Sequence, residues 1–306
     1  MNIFLDNVNL ASTSGPNYFA QKLRSHINKS GHSCEPTPSS ETDVQLSFIE
    51  SHRRYSADIP LVQRLDGIYY NSSDSCHIKN QNIERTYNDA DGVIFQTNFN
   101  KELVFSFFGP RDNYAIINNG ADLEMIESIE PSNHKIFKDH ENVWACAAQW
   151  RPVKRLRENI NYFLQNSGDD DCLVVAGQDA DIKINHPRIF YTGQVNIPTL
   201  LSIFKASKYF VHLAWIDHCP NVVVDARVCG CEIICSSTGG TREIAGPNAT
   251  VIQEEEWDLK PLSFVMPPGM DLSKKFQNNI DSDLDMRYSA NKYIDFLTKI
   301  TEKKNG

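Results

Sequence analysis

Short runs of β-branched and aromatic residues recur along the chain, separated by helix-like segments, and this alternation narrows the possible folds more than any other feature. The strand candidates are Asn2–Leu5, Gly92–Gln96, Tyr114–Ile117, Val143–Ala147, Cys172–Ala176, Arg188–Tyr191, Tyr209–Leu213 and Glu232–Cys235. Helical patterns fall between them at Tyr18–Ile27, Ile83–Asp89, Leu156–Leu164 and Thr199–Ala206. Apolar runs bounded by Gly, Asn and Asp and separated by helices read as βαβ units with parallel sheets. No internal repeat or low-complexity tract interrupts the pattern.

At 306 residues the chain is too long for one ordinary core and suits two domains of roughly 100–200 residues each. The polar segment 131–142, PSNHKIFKDHEN, lies between two strand–helix series and is the expected hinge. The expected architecture is α/β, with two Rossmann-like doubly wound domains, 1–135 and 140–280, facing a cleft. Ligands of such folds bind beyond the carboxyl ends of the strands. Residues 281–306 open with the acidic capping cluster DSDLD and continue as an amphipathic helix, with Tyr293, Ile294, Phe296 and Leu297 on its apolar side. That helix is expected to return to the N-terminal domain.

A hydrophobic content of 41% fits a globular protein rather than a disordered one. The net charge of −9 argues against non-specific binding to nucleic acid or anionic lipid. No apolar run approaches the roughly 18 residues of a membrane helix, so no transmembrane segment is expected. The start, MNIFLDNVNLASTSG, lacks the basic and apolar regions of a signal peptide. A cytoplasmic location follows as an expectation. The eight cysteines then read as reduced thiols, and the sequons at Asn71 and Asn248 as chance matches.

The stretch 216–240, IDHCPNVVVDARVCGCEIICSSTGG, carries the candidate chemistry. Asp217 falls in the loop at the carboxyl end of the strand candidate Tyr209–Leu213. Pro220 suits a first helical turn and Gly230 a helix end, which makes Val222–Cys229 a short buried helix. Three consecutive valines are poor helix formers, and a strand remains the other reading. As a helix, its first amides point into the same crevice as Asp217, and Asp225 stands about one turn in. Two hydroxyl acceptors and a positive helix end suit a polyol carrying a phosphate. On spacing alone, the favoured reading is that Asp217 caps the helix and Asp225 pairs with a neighbouring base such as Arg227.

An ordered series of segments adds to this. AQWRPVKRL (148–156), CLVVAGQD (172–179), YTGQVNIPTLLSIFKASKYFVHLAWID (191–217) and CPNVVVDARVCGCEIICSSTGGTREI (219–244) occupy the C-terminal half. SGPNYFAQKL (14–23), VQRLDGIYYN (62–71), ADGVIFQTNF (90–99) and IINNGADLE (116–124) occupy the N-terminal half. In that order they resemble the retaining glycosyltransferases of family 4, which have the GT-B fold, over most of residues 1–245. The family's two glutamates, eight positions apart, fall on Asp217 and Asp225, each about one methylene shorter. The family's glycine-rich loop between them is His218-Cys219-Pro220-Asn221 here, and its arginine falls on Gln149 while its lysine matches Lys154.

The resemblance implies transfer of a sugar from a nucleotide-diphosphate sugar to a glycan or other hydroxyl acceptor, without metal or other cofactor. In that reaction the transition state gathers negative charge on the departing diphosphate, which preorganised cations and amides stabilise. By resemblance Lys154 and Arg151, with Arg155 as a further candidate, contact the diphosphate, and the amides near Asn221 and Val222 complete the pocket. Asp225 holds the ribose hydroxyls and Asp217 a hydroxyl of the donor sugar. Gly15, in the loop after the first strand, and Gly177, at a strand end, are further donor-site positions. Asp66 falls in a segment that faces the cleft in the family, where it has an acceptor or reaction-centre role. Each has a plainer reading: the basic residues as an exposed helix face, Asp66 as a turn residue before Gly67.

Two metal readings compete with this. Asp169-Asp170-Asp171 is an acidic triplet, but it precedes a strand and reads as a polar turn. Cys229, Cys231 and Cys235, with Cys219 and His218, lack the paired two-residue gaps of structural zinc sites and read as small buried thiols. Beside the transferase stand two other function classes: a nucleotide-sugar enzyme of other chemistry, such as an epimerase, and a non-catalytic nucleotide-sugar binder.

Overall fold

A computed structural model describes residues 1–180 and 182–305, which divide into two units. The first contains residues 1–120, 257–265 and 283 onward; the second contains 121–256 and 266–282.

The first unit begins with β1 (Asn2–Asp6), α1 (Gly15–Lys29), β2 (Ser33–Glu35), β3 (Val44–Phe48), β4 (Leu61–Leu65), α2 (Cys76–Asp89), β5 (Gly92–Phe95), α3 (Asn98–Phe108) and β6 (Tyr114–Ile116). Its sheet has six strands in the order β2-β1-β3-β4-β5-β6, all parallel. Neighbouring residues on a strand serve opposite faces, as strand geometry requires. Val62 and Ile94 join the core that holds Phe19, Leu23 and Phe48, while Leu61, Leu65, Val93 and Phe95 join the core that holds Ile83, Tyr87 and Leu103. Both faces are covered, and β3, β4 and β5 are buried along their whole length.

The second unit opens with two short helices, α4 (Leu123–Glu127) and α5 (Lys135–Lys138), followed by β7 (Val143–Ala147), α6 (Leu156–Asn166), β8 (Cys172–Ala176), β9 (Ile189–Gly193), α7 (Ile197–Lys205), β10 (Tyr209–His212), α8 (Asn221–Val228), β11 (Glu232–Ser236), α9 (Thr241–Ile244), β12 (Thr250–Ile252) and β13 (Lys275–Gln277). Its seven strands run β13-β12-β11-β10-β7-β8-β9, parallel except for β13, which pairs antiparallel with β12. Asn196 caps α7 by accepting from Thr199 N–H at 2.9 Å, and Asp122 caps α4 by accepting from Met125 N–H at 3.1 Å. The three valines lie in α8, with Val223 and Val224 fully buried. Burial of that valine face decides for helix over the intrinsic β preference of valine.

Helix α10 (Met286–Asn305) packs on α1 in the first unit. Met286, Tyr293, Phe296, Leu297 and Ile300 enter the core built on Phe19 and Leu23. Gly120 meets the start of this helix so closely that a Cβ would lie 2.5 Å from the Met286 Cα.

Two features differ from the sequence reading. The first stretch of the first unit runs to Gly120, upstream of the polar 131–142 segment, and α5 within that segment belongs to the second unit. Strands β3 and β4 went unread because VQLSF and LVQRL carry Gln45, Ser47, Gln63 and Arg64, all buried. Each has hydrogen-bond partners: Gln45 and Ser47 bond Asp6 at 2.8 and 2.7 Å, and Gln63 bonds the Ile83 carbonyl at 3.0 Å. Buried polar groups of this kind are tolerated where they are paired, although Gln63 Oε1 has no hydrogen-bond partner among the described residues.

Candidate functional site

After β7 the chain turns back onto the end of β8. Trp150 N–H donates to the Gln178 carbonyl at 2.9 Å, and its indole N–H to the Ala176 carbonyl at 2.9 Å. Gly177 lies under this loop with φ of +111°, and a Cβ there would stand 1.8 Å from the Ala148 carbonyl oxygen. Only glycine permits that approach, so Gly177 has a packing role independent of any ligand. One 3₁₀ turn, Pro152–Lys154, follows, and Arg155 at φ 51° turns the chain into α6. The Val153 carbonyl accepts from Trp215 N–H at 2.8 Å, which lays Lys154 beside the segment leaving β10.

That segment is held under strain. Ile216 has φ of 54°, the left-handed region that β-branched residues avoid. Asp217 forms a parallel bridge with Gly239, and Gly240 N–H donates to the Asp217 carbonyl at 2.8 Å. Left-handed residues also follow other strand ends: Asn7 after β1, Ile49 after β3 and Asp179 after β8. Left-handed residues thus follow strand ends in both units, on the side where folds of this kind bind ligands.

The Asp217 carboxylate is the centre of the group. Its Oδ2 accepts from the Lys154 ammonium and stands 2.9 Å from His212 Nε2. Burial alone would raise the Asp217 pKa, but Lys154 and His212 outweigh it and hold the carboxyl well below its ordinary range. His212, the last residue of β10, is buried, and that burial lowers its pKa against the pull of Asp217. An ionised carboxylate only accepts, so the neutral imidazole donates from Nε2. Burial pushes His218 down to about 4, Asp217 opposing and Lys154 adding to the shift. At neutral pH the Asp217 carboxylate is therefore ionised beside a neutral His212 imidazole, and His218 is neutral as well.

Helix α8 begins at Asn221, four residues after Asp217. Its amides from Val223 and Val224 are satisfied by the Pro220 carbonyl at 3.0 and 3.2 Å. Asn221 and Val222 are half-buried at the first turn, while Asp225 is buried one turn in. Arg151 is exposed. A cation beside a helix N-terminus suits a diphosphate, and a carboxylate at a strand end suits a sugar hydroxyl.

Arg155 is a further donor-site candidate in the sequence. It is 2% exposed, pairs with Glu254 Oε1 at 2.7 Å and donates to the Pro268 carbonyl at 2.8 Å. Committed to these partners, it anchors the Lys154 loop instead of presenting a charge to solvent. Burial raises the Glu254 pKa, which Arg155 partly offsets.

Asp66 lies in the first unit at the carboxyl end of β4. Oδ1 accepts from Arg64 and from Gln96, while Oδ2 is buried and has no hydrogen-bond partner among the described residues. Burial raises its pKa, with Arg64 opposing. Arg64 is itself fully buried and donates to the Tyr293 hydroxyl at 2.9 Å and to Asn119 Oδ1 at 2.8 Å. Gly15 is exposed at the start of α1. A cavity of about 300 Å³ opens at the carboxyl end of β1, lined by Asp6, Asn7, Asn9 and Asn17.

Two of the residues weighed as metal ligands, Asp171 and Cys231, have other partners. Asp171 accepts from the Trp144 indole at 3.0 Å and from Asn142 Nδ2 at 2.9 Å, closing the turn before β8. The Cys231 thiol donates to the Phe204 carbonyl at 3.2 Å.

His212, Glu254 and Arg64 were missed as functional or supporting residues. A histidine closing an otherwise apolar strand, five positions before the candidate carboxylate, was the available signal for the first. Nothing in the sequence linked Glu254 to Arg155 across 99 positions.

No protein-family sequence model matches the chain, and no curated protein matches it either. Solved structures do. Sucrose-phosphate synthase from Thermosynechococcus elongatus aligns over 99% of this chain and 94% of its own, at 10% identity and a TM-score of 0.65. A glycosyltransferase involved in avilamycin A biosynthesis aligns over 99% of this chain and 98% of its own, at 12% identity and a TM-score of 0.64. HepE from Anabaena, solved in complex with UDP-glucose, aligns over 99% and 93%, at 13% identity and a TM-score of 0.60. Likeness at these identities establishes architecture: the chain has the GT-B fold.

Proposed function

We propose that the chain is a retaining glycosyltransferase of the family 4 type, which moves a sugar from a nucleoside-diphosphate sugar to a hydroxyl acceptor such as a glycan, without a metal. The observation that carries this reading is the Lys154–Asp217 pair at the carboxyl ends of β7 and β10, with α8 starting four residues on. Lys154 and the first amides of α8 supply positive charge for a diphosphate, and Asp217 supplies a hydroxyl acceptor. That HepE is solved with UDP-glucose, on a similar fold, agrees with it.

In the reaction the bond from C1 of the sugar to the diphosphate oxygen breaks as the acceptor oxygen bonds C1 from the same face. The acceptor proton passes to the departing phosphate oxygen, so no protein base is needed. Lys154, drawn from Asp217 to the diphosphate, and Arg151 neutralise the growing negative charge. Asp225 holds the ribose hydroxyls and Asp217 a hydroxyl of the donor sugar, and Asp66 has an acceptor-side or reaction-centre role.

Incubation with a panel of UDP-, ADP- and GDP-sugars tests the proposal through release of the nucleoside diphosphate. Release with one donor, giving a product of unchanged anomeric configuration, supports it. Tight nucleotide binding with no release from any donor, in the presence of a broad set of glycan acceptors, would show a binding protein instead.

A further inference from the structure

Asp217 is one methylene shorter than glutamate and is held at one oxygen by a cation that the proposed reaction draws away. Something must keep it aimed when Lys154 turns to the diphosphate. Only Oδ2 is engaged, by Lys154 and by His212 at 2.9 Å. Oδ1 accepts no hydrogen bond among the described residues and is not among their buried atoms lacking a partner. The side chain keeps 16% exposure, consistent with Oδ1 reaching solvent. His212 is 4% exposed and fixed at the end of β10, in register with Cys235 of β11.

We propose that His212 is a positioning residue for donor-sugar recognition: its Nε2–H holds Asp217 Oδ2 so that Oδ1 is presented to a hydroxyl of the donor sugar. The inference rests on the nucleotide-sugar reading above. It assigns the two carboxylate oxygens separate tasks, one structural and one for the ligand. Before the donor binds, Lys154 and His212 share Oδ2. Once Lys154 has moved to the diphosphate, His212 alone keeps the carboxylate from rotating. A hydrogen bond to an ionised group is among the stronger single contacts in a protein, which makes one buried imidazole sufficient for this task.

The test uses calorimetry on the full chain with UDP, ADP and GDP and their glucose conjugates, following the base that binds. His212→Leu removes the donor at similar volume, His212→Gln places an amide N–H near the Nε2 position, and His212→Asn places one near Nδ1. In His212→Leu the free diphosphate should bind within about twofold of the unaltered protein, while the glucose conjugate should weaken about tenfold. His212→Gln should recover most of that loss and His212→Asn should not, a comparison that survives if the leucine variant fails to fold. Nitrogen-15 spectra should show His212 as the neutral Nε2–H tautomer. Equal weakening of both ligands, unchanged affinity for both, or an Nδ1–H tautomer would overturn the positioning role. Failure of the unaltered protein to bind any nucleotide would instead remove the reading beneath it.

Discussion

Replacing Arg155 by methionine separates an anchoring role from a ligand-binding one. The Arg155 and Glu254 side chains are only 1% and 6% exposed, and their charges meet at 2.7 Å. Removing one partner of a buried pair leaves the other uncompensated, at a cost of about 3–5 kcal/mol. A structural unit of this size loses about 3 °C of melting temperature per kcal/mol, so Arg155→Met should melt roughly 10 °C lower at neutral pH. The pH dependence follows from Glu254, whose folded pKa is already raised by burial. A raised carboxyl binds a proton more tightly folded than unfolded, so its stability contribution is present at low pH and is lost as pH rises through the folded value. Without Arg155 that value rises further, so the variant's deficit should be smaller at pH 5 than at pH 7.5. Calorimetric melting of Arg155→Met and of Arg155→Met with Glu254→Leu, at both pH values, measures this. The double variant should regain most of the loss, since an apolar pair replaces an unpaired charge. A drop under about 2 °C, or a double variant no better than the single one, would refute the anchoring argument.

Three further perturbations bear on other parts of the molecule. Lys154→Ala and Asp225→Ala should each weaken nucleotide binding about tenfold or more, by titration calorimetry, with far-ultraviolet circular dichroism unchanged; unchanged affinity in both would mean that the nucleotide binds elsewhere. Gly177→Ala should destabilise the second unit by more than about 3 kcal/mol, read by urea denaturation, because the new Cβ collides with the Ala148 carbonyl and also meets a forbidden φ. Leu297→Ala should cost about 2–5 kcal/mol and speed amide exchange in α1 and α10, whose shared core Leu297 fills; exchange accelerated only in the second unit would contradict the packing.

Legibility from sequence followed burial and polarity. Val143–Ala147 and Cys172–Ala176 are continuous apolar runs, preceded by Asn142 and Asp171, and they fold as strands with the limits read from the pattern. The strands around Gln45 and Arg64 were invisible because their polar side chains are buried and paired, a state that only tertiary partners create. At the site, Asp217 and Lys154 stood out through an ordered series of motifs, and the fold brings them together. Arg155 looked equally available, because a basic residue one position from Lys154 carries no mark of its partner. Its left-handed backbone and its meeting with Glu254 are set by the path of the chain, which local sequence does not encode.

The division of the chain also orders events during synthesis. The sheet of the first unit is complete by Ile116, yet the helix that fills one side of its core comes from residues 286–305, and a further piece from 257–265. Everything the second unit needs has been made by Ser282. Domains commonly finish folding in the order in which they emerge from the ribosome. Here that order is inverted: the unit that starts first closes last. Until α10 arrives, the apolar surfaces of Phe19, Leu23 and Phe48 lack their covering helix. During this interval the nascent chain is exposed to aggregation and to chaperone capture, and a stop codon placed just before Met286 would prolong it indefinitely.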